Sequence, residues 1–242
     1  MTAISIRSLT KKYKDVTAVD GLTLDIEKGE LFALLGVNGA GKTTTVKMLS
    51  CLTAPTDGDA LLLGSSILTD RDAVKKVIAV SPQETAVADG LTVRGNLVLM
   101  CGAHGFSKKE TDEKIEKMKD FLGIAAIMKK RAGKLSGGWQ RRLSIAMALI
   151  GDPEILFLDE PTLGLDVIAR SDLWDVIRSL KGRVTVILTT HYMEEAEELS
   201  DRVGVMRDGR LLAVGTPAEL KEKTGCDKFE NAFISIVKGA EK

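Results

Sequence analysis

An α/β fold is predicted, built on a parallel sheet with a small antiparallel β subdomain and an inserted α-helical part. Three observations predict it. Residues 31–35 (Leu-Phe-Ala-Leu-Leu) are apolar throughout and run into a glycine-rich loop followed by a helix-like stretch. Residues 155–158 (Ile-Leu-Phe-Leu) are again apolar without alternation and end on Asp159-Glu160. Unbroken apolar runs of this length suit strands covered on both faces, as in a parallel sheet. Finally, 242 residues suffice for one sizeable core, so a single mixed domain accounts for the chain.

The loop after the first apolar run reads Gly36-Val37-Asn38-Gly39-Ala40-Gly41-Lys42-Thr43-Thr44. It fits the spacing of a phosphate-binding loop, a glycine, four residues, then Gly-Lys-Thr. Cradling a polyphosphate requires successive backbone N–H groups turned around one anion, and glycine allows both the backbone angles and the close approach. Gly36, Gly39 and Gly41 supply that freedom. Residues 42–52 read as a helix stopped near Pro55, so the loop lies at a helix N-terminus, where the dipole and free N–H groups favour an anion. Lys42 then offers a charge to the terminal phosphates and Thr43 a hydroxyl to magnesium. A plain glycine-rich turn between strand and helix would leave the Lys-Thr pair unexplained.

Asp159 and Glu160 emerge at the carboxyl end of the second buried run, the end at which ligands bind in such sheets. One carboxylate is enough to hold magnesium, through water or beside Thr43, and its neighbour is free to orient or deprotonate an attacking water. Asp159 is assigned to the metal and Glu160 to the water. The bland alternative is that Asp-Glu-Pro begins a helix, since acids and proline both favour a first turn.

Residues 135–140 read Leu-Ser-Gly-Gly-Trp-Gln and lie between these two elements. With the glycine loop upstream and the acidic strand end downstream, the chain resembles the nucleotide-binding subunit of ABC transporters. The resemblance covers nearly the whole chain. It implies a P-loop NTPase core, with residues 84–152 as the approximate inserted helical subdomain that carries the Ser-Gly-Gly signature. It also implies that ATP and Mg2+ are bound. In the family, two such chains sandwich two ATP molecules head to tail. Ser136, Gly137 and Gly138 then form a second anion nest, at a helix N-terminus, for the nucleotide held by the other chain. Trp139 departs from the family, which most often has glutamine there.

Further residues match the family pattern one by one. Tyr13 looks like the aromatic that stacks on adenine. Gln83, after Pro82, looks like the glutamine that touches magnesium and the attacking water. Residues 163–166 (Leu-Gly-Leu-Asp) resemble the loop that crosses the dimer interface and bring Asp166 to it. His191 ends the strand-like run 184–190 and looks like the histidine that contacts the γ-phosphate; its place at a strand's carboxyl end sets it apart from an ordinary loop histidine. The resemblance thus gives Glu160, His191, Gln83 and Lys42 to catalysis, and Thr43, Gln83 and Asp159 to the metal. The nucleotide falls to Tyr13, residues 36 and 38–44, residues 136–138 and Asp166.

Composition narrows the function classes. Thirty-four basic and 34 acidic residues balance, so no global basic field argues for nucleic acid. Cys51, Cys101 and Cys226 show neither close pairing nor metal-ligand spacing, which points to structural thiols in a reducing compartment. The N-terminal segment lacks the apolar core of a secretory signal, and no run approaches the ~18 apolar residues that span a bilayer. The chain is therefore expected to be cytosolic, and to reach the cytoplasmic face of a membrane through a separate permease subunit.

Residues 4–6, 22–26 and 61–63 are short strand-like runs separated by turn residues, and account for the antiparallel sheet. Between residues 84 and 134 strand signals are few, and residues 108–122 place Ile115, Met118 and Leu122 at helical spacing among many charges. A membrane partner would predict exposed apolar residues near Leu91, Val93 and Leu97. Residues 203–206 and 210–214 flank Asp208-Gly209, a strong hairpin signal. The short stretch that follows leaves no room for the C-terminal regulatory domain of several importer ATPases, and the single cassette differs from the paired cassettes of relatives acting in translation. Residues 190–197 and 214–220 look most like the exporter branch linked to drug and antibiotic resistance. An importer ATPase runs the same ATP chemistry and remains the alternative, as does a soluble non-transport ATPase of the family. A kinase-like enzyme has no need of residues 135–140. The chromosome-organising ATPases place a long coiled coil in this interval, where sustained heptads are missing. Both half-sites look intact, so a homodimer is permitted.

Overall fold

The computed structural model describes residues 1–239. Two sheets form it. The smaller is antiparallel, in the order β2 (Val16–Glu27), β1 (Thr2–Tyr13), β4 (Asp57–Leu62), β5 (Ser65–Ser66). The larger sheet has the order β10, β9, β3, β8, β7, β6. Its strands β3 (Leu31–Leu35), β6 (Ile78–Ser81), β7 (Ile155–Asp159), β8 (Thr185–Thr190) and β9 (Arg202–Arg207) pair in parallel, and β10 (Arg210–Gly215) joins antiparallel through the hairpin. Every residue of β3, β7 and β8 is buried, as their apolar runs require, because one sheet face is covered by helices and the other by the antiparallel sheet.

The first face carries α3 (Val93–Ala103), α4 (Lys108–Phe121), α5 (Gly137–Leu149) and α6 (Val167–Arg178), which share one core with Leu31, Leu156, Leu158, Val186 and Leu188. The opposite face joins α1 (Lys42–Leu49) to Ile4, Ile6, Leu22 and Ile26 of the small sheet over Phe32, Phe157 and Ile187. A third cluster seats α7 (Met193–Leu199), α8 (Pro217–Thr224) and α9 (Phe229–Gly239) beside Ala33, Leu35, Val203 and Val205. Helix ends follow their sequences. Ser107 and Glu110 close a capping box on α4, as Thr216 and Glu219 do on α8, satisfying N–H groups that a first turn leaves free.

One expectation needs correction. Helix α1 ends at Leu49 and not at residue 52, because Cys51 turns left-handed at φ 59°. Val77 closes a short helix, α2 (Arg71–Val77), and strand β6 opens at Ile78. Exposed apolar residues do occur near Leu91, Val93 and Leu97, namely Leu91, Val98 and Leu99, while Val93 and Leu97 are themselves fully buried core residues. The physical reason is helical phase: Val93, Asn96, Leu97 and Cys101 form the inward stripe of α3, so the residues just after Leu97 face outward.

The β9–β10 turn does more than reverse the chain. Asp208 and Gly209 both have positive φ, as a two-residue hairpin of this type requires. Gly209 N–H donates to Ala40 O, and Asp20 N–H donates to Gly209 O, so the hairpin braces the glycine loop against β2. A Cβ at Gly209 would lie 3.0 Å from Ala18 O, at φ 78°. Gly209→Ala is therefore predicted to lower the unfolding free energy by about 1–3 kcal/mol, read from urea denaturation; a wild-type midpoint would show that the brace bears no strain.

Candidate functional site

The glycine loop closes on the first turn of α1, with Gly41 left-handed at its N-cap, φ 101°. Gly39 is also left-handed, φ 83°, whereas Gly36 is required for space: a Cβ there would come 2.4 Å from Met206 O. Gly41 meets both conditions, since its Cβ would stand 2.5 Å from Ala18 O. Lys42 is buried beneath the loop and its Nζ donates to Gly36 O at 2.7 Å and Val37 O at 3.2 Å. Burial holds the ammonium below the usual lysine range, opposed by the negative charges of Glu160 and Asp159.

Asp159 closes β7 and reaches back to the loop. Its Oδ1 accepts from Thr43 Oγ1 at 3.1 Å and from Thr189 Oγ1 on the neighbouring strand. Glu160 is left-handed, φ 47°, with its N–H donating to both the carbonyl and the hydroxyl of Thr189 at 3.1 and 3.0 Å. Residues 160–166 form turns and not a helix, which removes the bland alternative for Asp-Glu-Pro; α6 begins only at Val167. The twist of Glu160 turns its carboxylate to Lys42 Nζ, at 3.6 Å, and to His191 Nδ1, at 3.2 Å. His191 Nδ1 is buried yet off hydrogen-bonding geometry with Glu160, and its ring lies 4.2 Å from that of Tyr192.

These groups surround a cavity of about 510 Å³, lined by Tyr13, Ala18, residues 38–44, Gln83, Glu160, Leu163 and His191. Gln83 is exposed just beyond β6, and Tyr13 is half exposed at the end of β1, with Lys11 Nζ 5.0 Å from its ring centre. Among the described residues, no group of three or more His, Cys, Asp or Glu is placed to hold a metal. The donors at hand are the Thr43 hydroxyl and the Asp159 carboxylate, 3.1 Å apart. That pair fits Mg2+, which takes oxygen ligands, keeps several waters and shares the rest with phosphates.

Other sequence-predicted residues lie elsewhere. Ser136 is the N-cap residue of α5, and Gly137 and Gly138 begin that helix. Ser136, Gly138 and Trp139 line a separate small cavity with Arg142, Ala169 and Asp172. Trp139 lies under the Arg142 guanidinium, 4.8 Å from its ring centre, and packs on the core. Asp166 caps α6, accepting from Ala169 N–H at 2.9 Å. One chain therefore does not bring residues 136–138 or Asp166 into the cavity of the glycine loop.

Sequence reasoning missed three residues. Thr189 holds both acids, as above. Arg141 of α5 is buried and donates to Pro82 O at 2.9 Å, tying the signature helix to the Gln83 segment; burial lowers its pKa, opposed by Asp159 and Glu160. Glu195 is wholly buried. The signal available for the last two was a charged residue at an inward position of an otherwise apolar helix face.

The sequence profile described as ABC transporter matches residues 19–163. ABC transporter A family member 2 of Arabidopsis thaliana is 42% identical over 251 residues, covering 97% of this chain and 25% of that protein. The chain thus spans about a quarter of the length of such plant relatives. The daunorubicin/doxorubicin resistance ATP-binding protein DrrA of Streptomyces peucetius is 41% identical, covering 92% of this chain and 68% of that one. The Nod factor export ATP-binding protein I of Rhizobium sp. (strain N33) is 42% identical, covering 94% and 76%. A solved structure of the ATP binding subunit of an ABC transporter superposes with a TM-score of 0.85 at 24% identity, over 98% of this chain and 100% of that chain, a likeness of fold.

The Lys42 environment gives a pH test. Its folded pKa lies below the unfolded value of 10.5, so between the two values the unfolded chain binds the extra proton and stability rises with pH. Lys42→Met removes that rise. Urea midpoints from pH 7 to 10 are expected to show the variant's stability relative to wild type falling as pH increases; a constant difference would mean that Lys42 is not desolvated.

Proposed function

This chain belongs to the ABC transporter family, and we propose that it is the ATP-hydrolysing subunit of a membrane transporter, acting as a pair of chains that ATP closes head to tail. The observation that carries the reading is the convergence of Lys42, Thr43, Glu160 and His191 from three separate segments onto one cavity, with Asp159 bonded to Thr43 beside it. We further read residues 1–242 as one domain in which residues 84–152 form the helical insertion.

Residues 36–44 would wrap the β- and γ-phosphates with backbone N–H groups and the helix dipole. Lys42 Nζ now spends its protons on Gly36 O and Val37 O, and would move them to the phosphate oxygens. Tyr13 at the cavity edge suits stacking on adenine. Thr43 and Asp159 would hold Mg2+ together with Gln83; when bound, the ion supplies positive charge to the β- and γ-oxygens. Glu160 accepts the proton of the attacking water as its oxygen bonds to the γ-phosphorus and the bridging P–O bond breaks, the electron pair passing to the β-phosphate. His191 lies beside Glu160 and would fix both the water and a γ-oxygen.

Residues 136–138 and Asp166 lie outside this cavity, so their phosphate-binding role is met by the ATP of the partner chain. ATP then favours the closed pair because only that state contacts it from both sides, and hydrolysis reopens the clamp. Leu91, Val98 and Leu99 form an exposed apolar surface suited to a permease subunit. That subunit would hold the chain at the cytoplasmic face of the membrane; among the described residues no helix is long and apolar enough to cross one. The relatives named for daunorubicin resistance and Nod factor export favour export over import.

Lys42→Ala is predicted to abolish high-affinity ATP binding in equilibrium titration. Glu160→Gln should bind ATP as wild type does, hydrolyse it on the order of 10²-fold more slowly, and accumulate as a dimer in size-exclusion chromatography with ATP. Wild-type turnover in Glu160→Gln would remove the role given to Glu160.

A further inference from the structure

Glu195, in the first turn of α7, has no solvent exposure. Its Oε1 accepts from Thr162 Oγ1 at 2.8 Å and from Trp174 Nε1 at 3.1 Å. The Thr190 side chain also acts on the carboxyl, favouring its charged form. These side chains come from three segments that Glu195 joins. Thr162 follows Glu160 by two residues, Thr190 precedes His191, and Trp174 lies midway along α6. A carboxyl group is costly to bury, and packing alone would favour an apolar residue.

Helix α6 reaches in turn to the signature segment. A Cβ on Gly138 would meet Ala169 Cβ at 2.9 Å, and one on Gly137 would meet Leu165 Cδ2 at 3.5 Å. A second link runs alongside: the Arg170 guanidinium of α6 stacks 4.6 Å from the Tyr192 ring, next to His191, and acts electrostatically on Glu195. Glu195 Oε2 and Arg170 Nε are both buried without a hydrogen-bond partner among the described residues.

We propose that Glu195 is a positioning residue. It fastens the Glu160 and His191 segments to the flank of α6, and so couples the phosphate end of one ATP site to the residues 136–138 that the same chain offers to the other. The inference rests on the ATPase reading above. Burial holds the Glu195 carboxyl above the ordinary carboxylate range, which makes glutamine a close mimic: its amide oxygen still accepts from Thr162 and Trp174.

Steady-state ATPase assays of the full chain with MgATP test this, using Glu195→Ala, Glu195→Gln and Thr162→Val, each shown by circular dichroism to be folded at the assay temperature. Glu195→Ala is expected to lower kcat by tenfold to about 10²-fold, as for a small misplacement of reacting groups, with KM for ATP within about twofold. Glu195→Gln is expected to stay within about threefold of wild type, and Thr162→Val to fall between them. Wild-type kcat in Glu195→Ala, equal loss in the alanine and glutamine variants, or a loss confined to KM would overturn the proposal. If Glu195→Ala does not fold, an undiminished kcat in Thr162→Val overturns it. A wild-type chain without MgATP hydrolysis overturns the ATPase reading, and this inference with it.

Discussion

The hydrogen bond between Thr43 and Asp159 is the contact on which the site depends. It joins the first turn of α1 to the end of β7, two segments 116 residues apart. Thr189 of β8 then bonds the same carboxylate oxygen and holds the N–H of Glu160. Two parallel strand ends, those of β7 and β8, are thereby fixed relative to the glycine loop. Hydrogen bonds to a charged group contribute about 1.5–3 kcal/mol each, enough to hold Glu160 in a left-handed conformation that costs on the order of 1–3 kcal/mol. The strain has a use, for it is what turns the Glu160 carboxylate toward Lys42 and His191 instead of along the strand.

How much of this was legible follows from where each signal resides. The parallel strands are unbroken apolar runs because both faces are covered, so β3, β7 and β8 could be read directly. Phosphate chemistry fixes residue type and spacing, which made residues 36–44 legible, and the backbone demand of a tight turn did the same for Asp208-Gly209. What escaped was set by contacts distant in sequence. Helix α2 buries only Val74, too little to leave a periodic pattern. The phase of α3 decides that Val93 and Leu97 face inward, and a cluster of apolar residues does not reveal phase. Thr189, Arg141 and Glu195 act through partners 20 to 60 residues away, and local sequence offers at most a charge on an apolar helix face for the last two.

The two phosphate-directed elements of one chain are separated by α6, which Asp166 caps and Glu195 grips. In the proposed pair of chains, neither the cavity at residues 36–44 nor the segment at residues 136–138 would surround an anion alone. The proposed clamp would gain its leverage from this incompleteness, since a ligand shifts an equilibrium only by its differential affinity for the two states. The exposed Val167 and Ile168, on the first turn of α6 beside the signature segment, are 80% and 76% accessible in the single chain, as expected of a surface that a second chain covers.

The central claim, that each ATP site draws on two chains, is tested most directly by complementation. Lys42→Ala damages the glycine-loop half-site and Ser136→Ala with Gly137→Asp damages the signature half-site, so each variant alone should be inactive. A mixed pair would carry one site in which both halves are intact. Recovery of ATP hydrolysis on mixing the two inactive variants is the predicted result. A mixture no more active than its separate components would contradict the account.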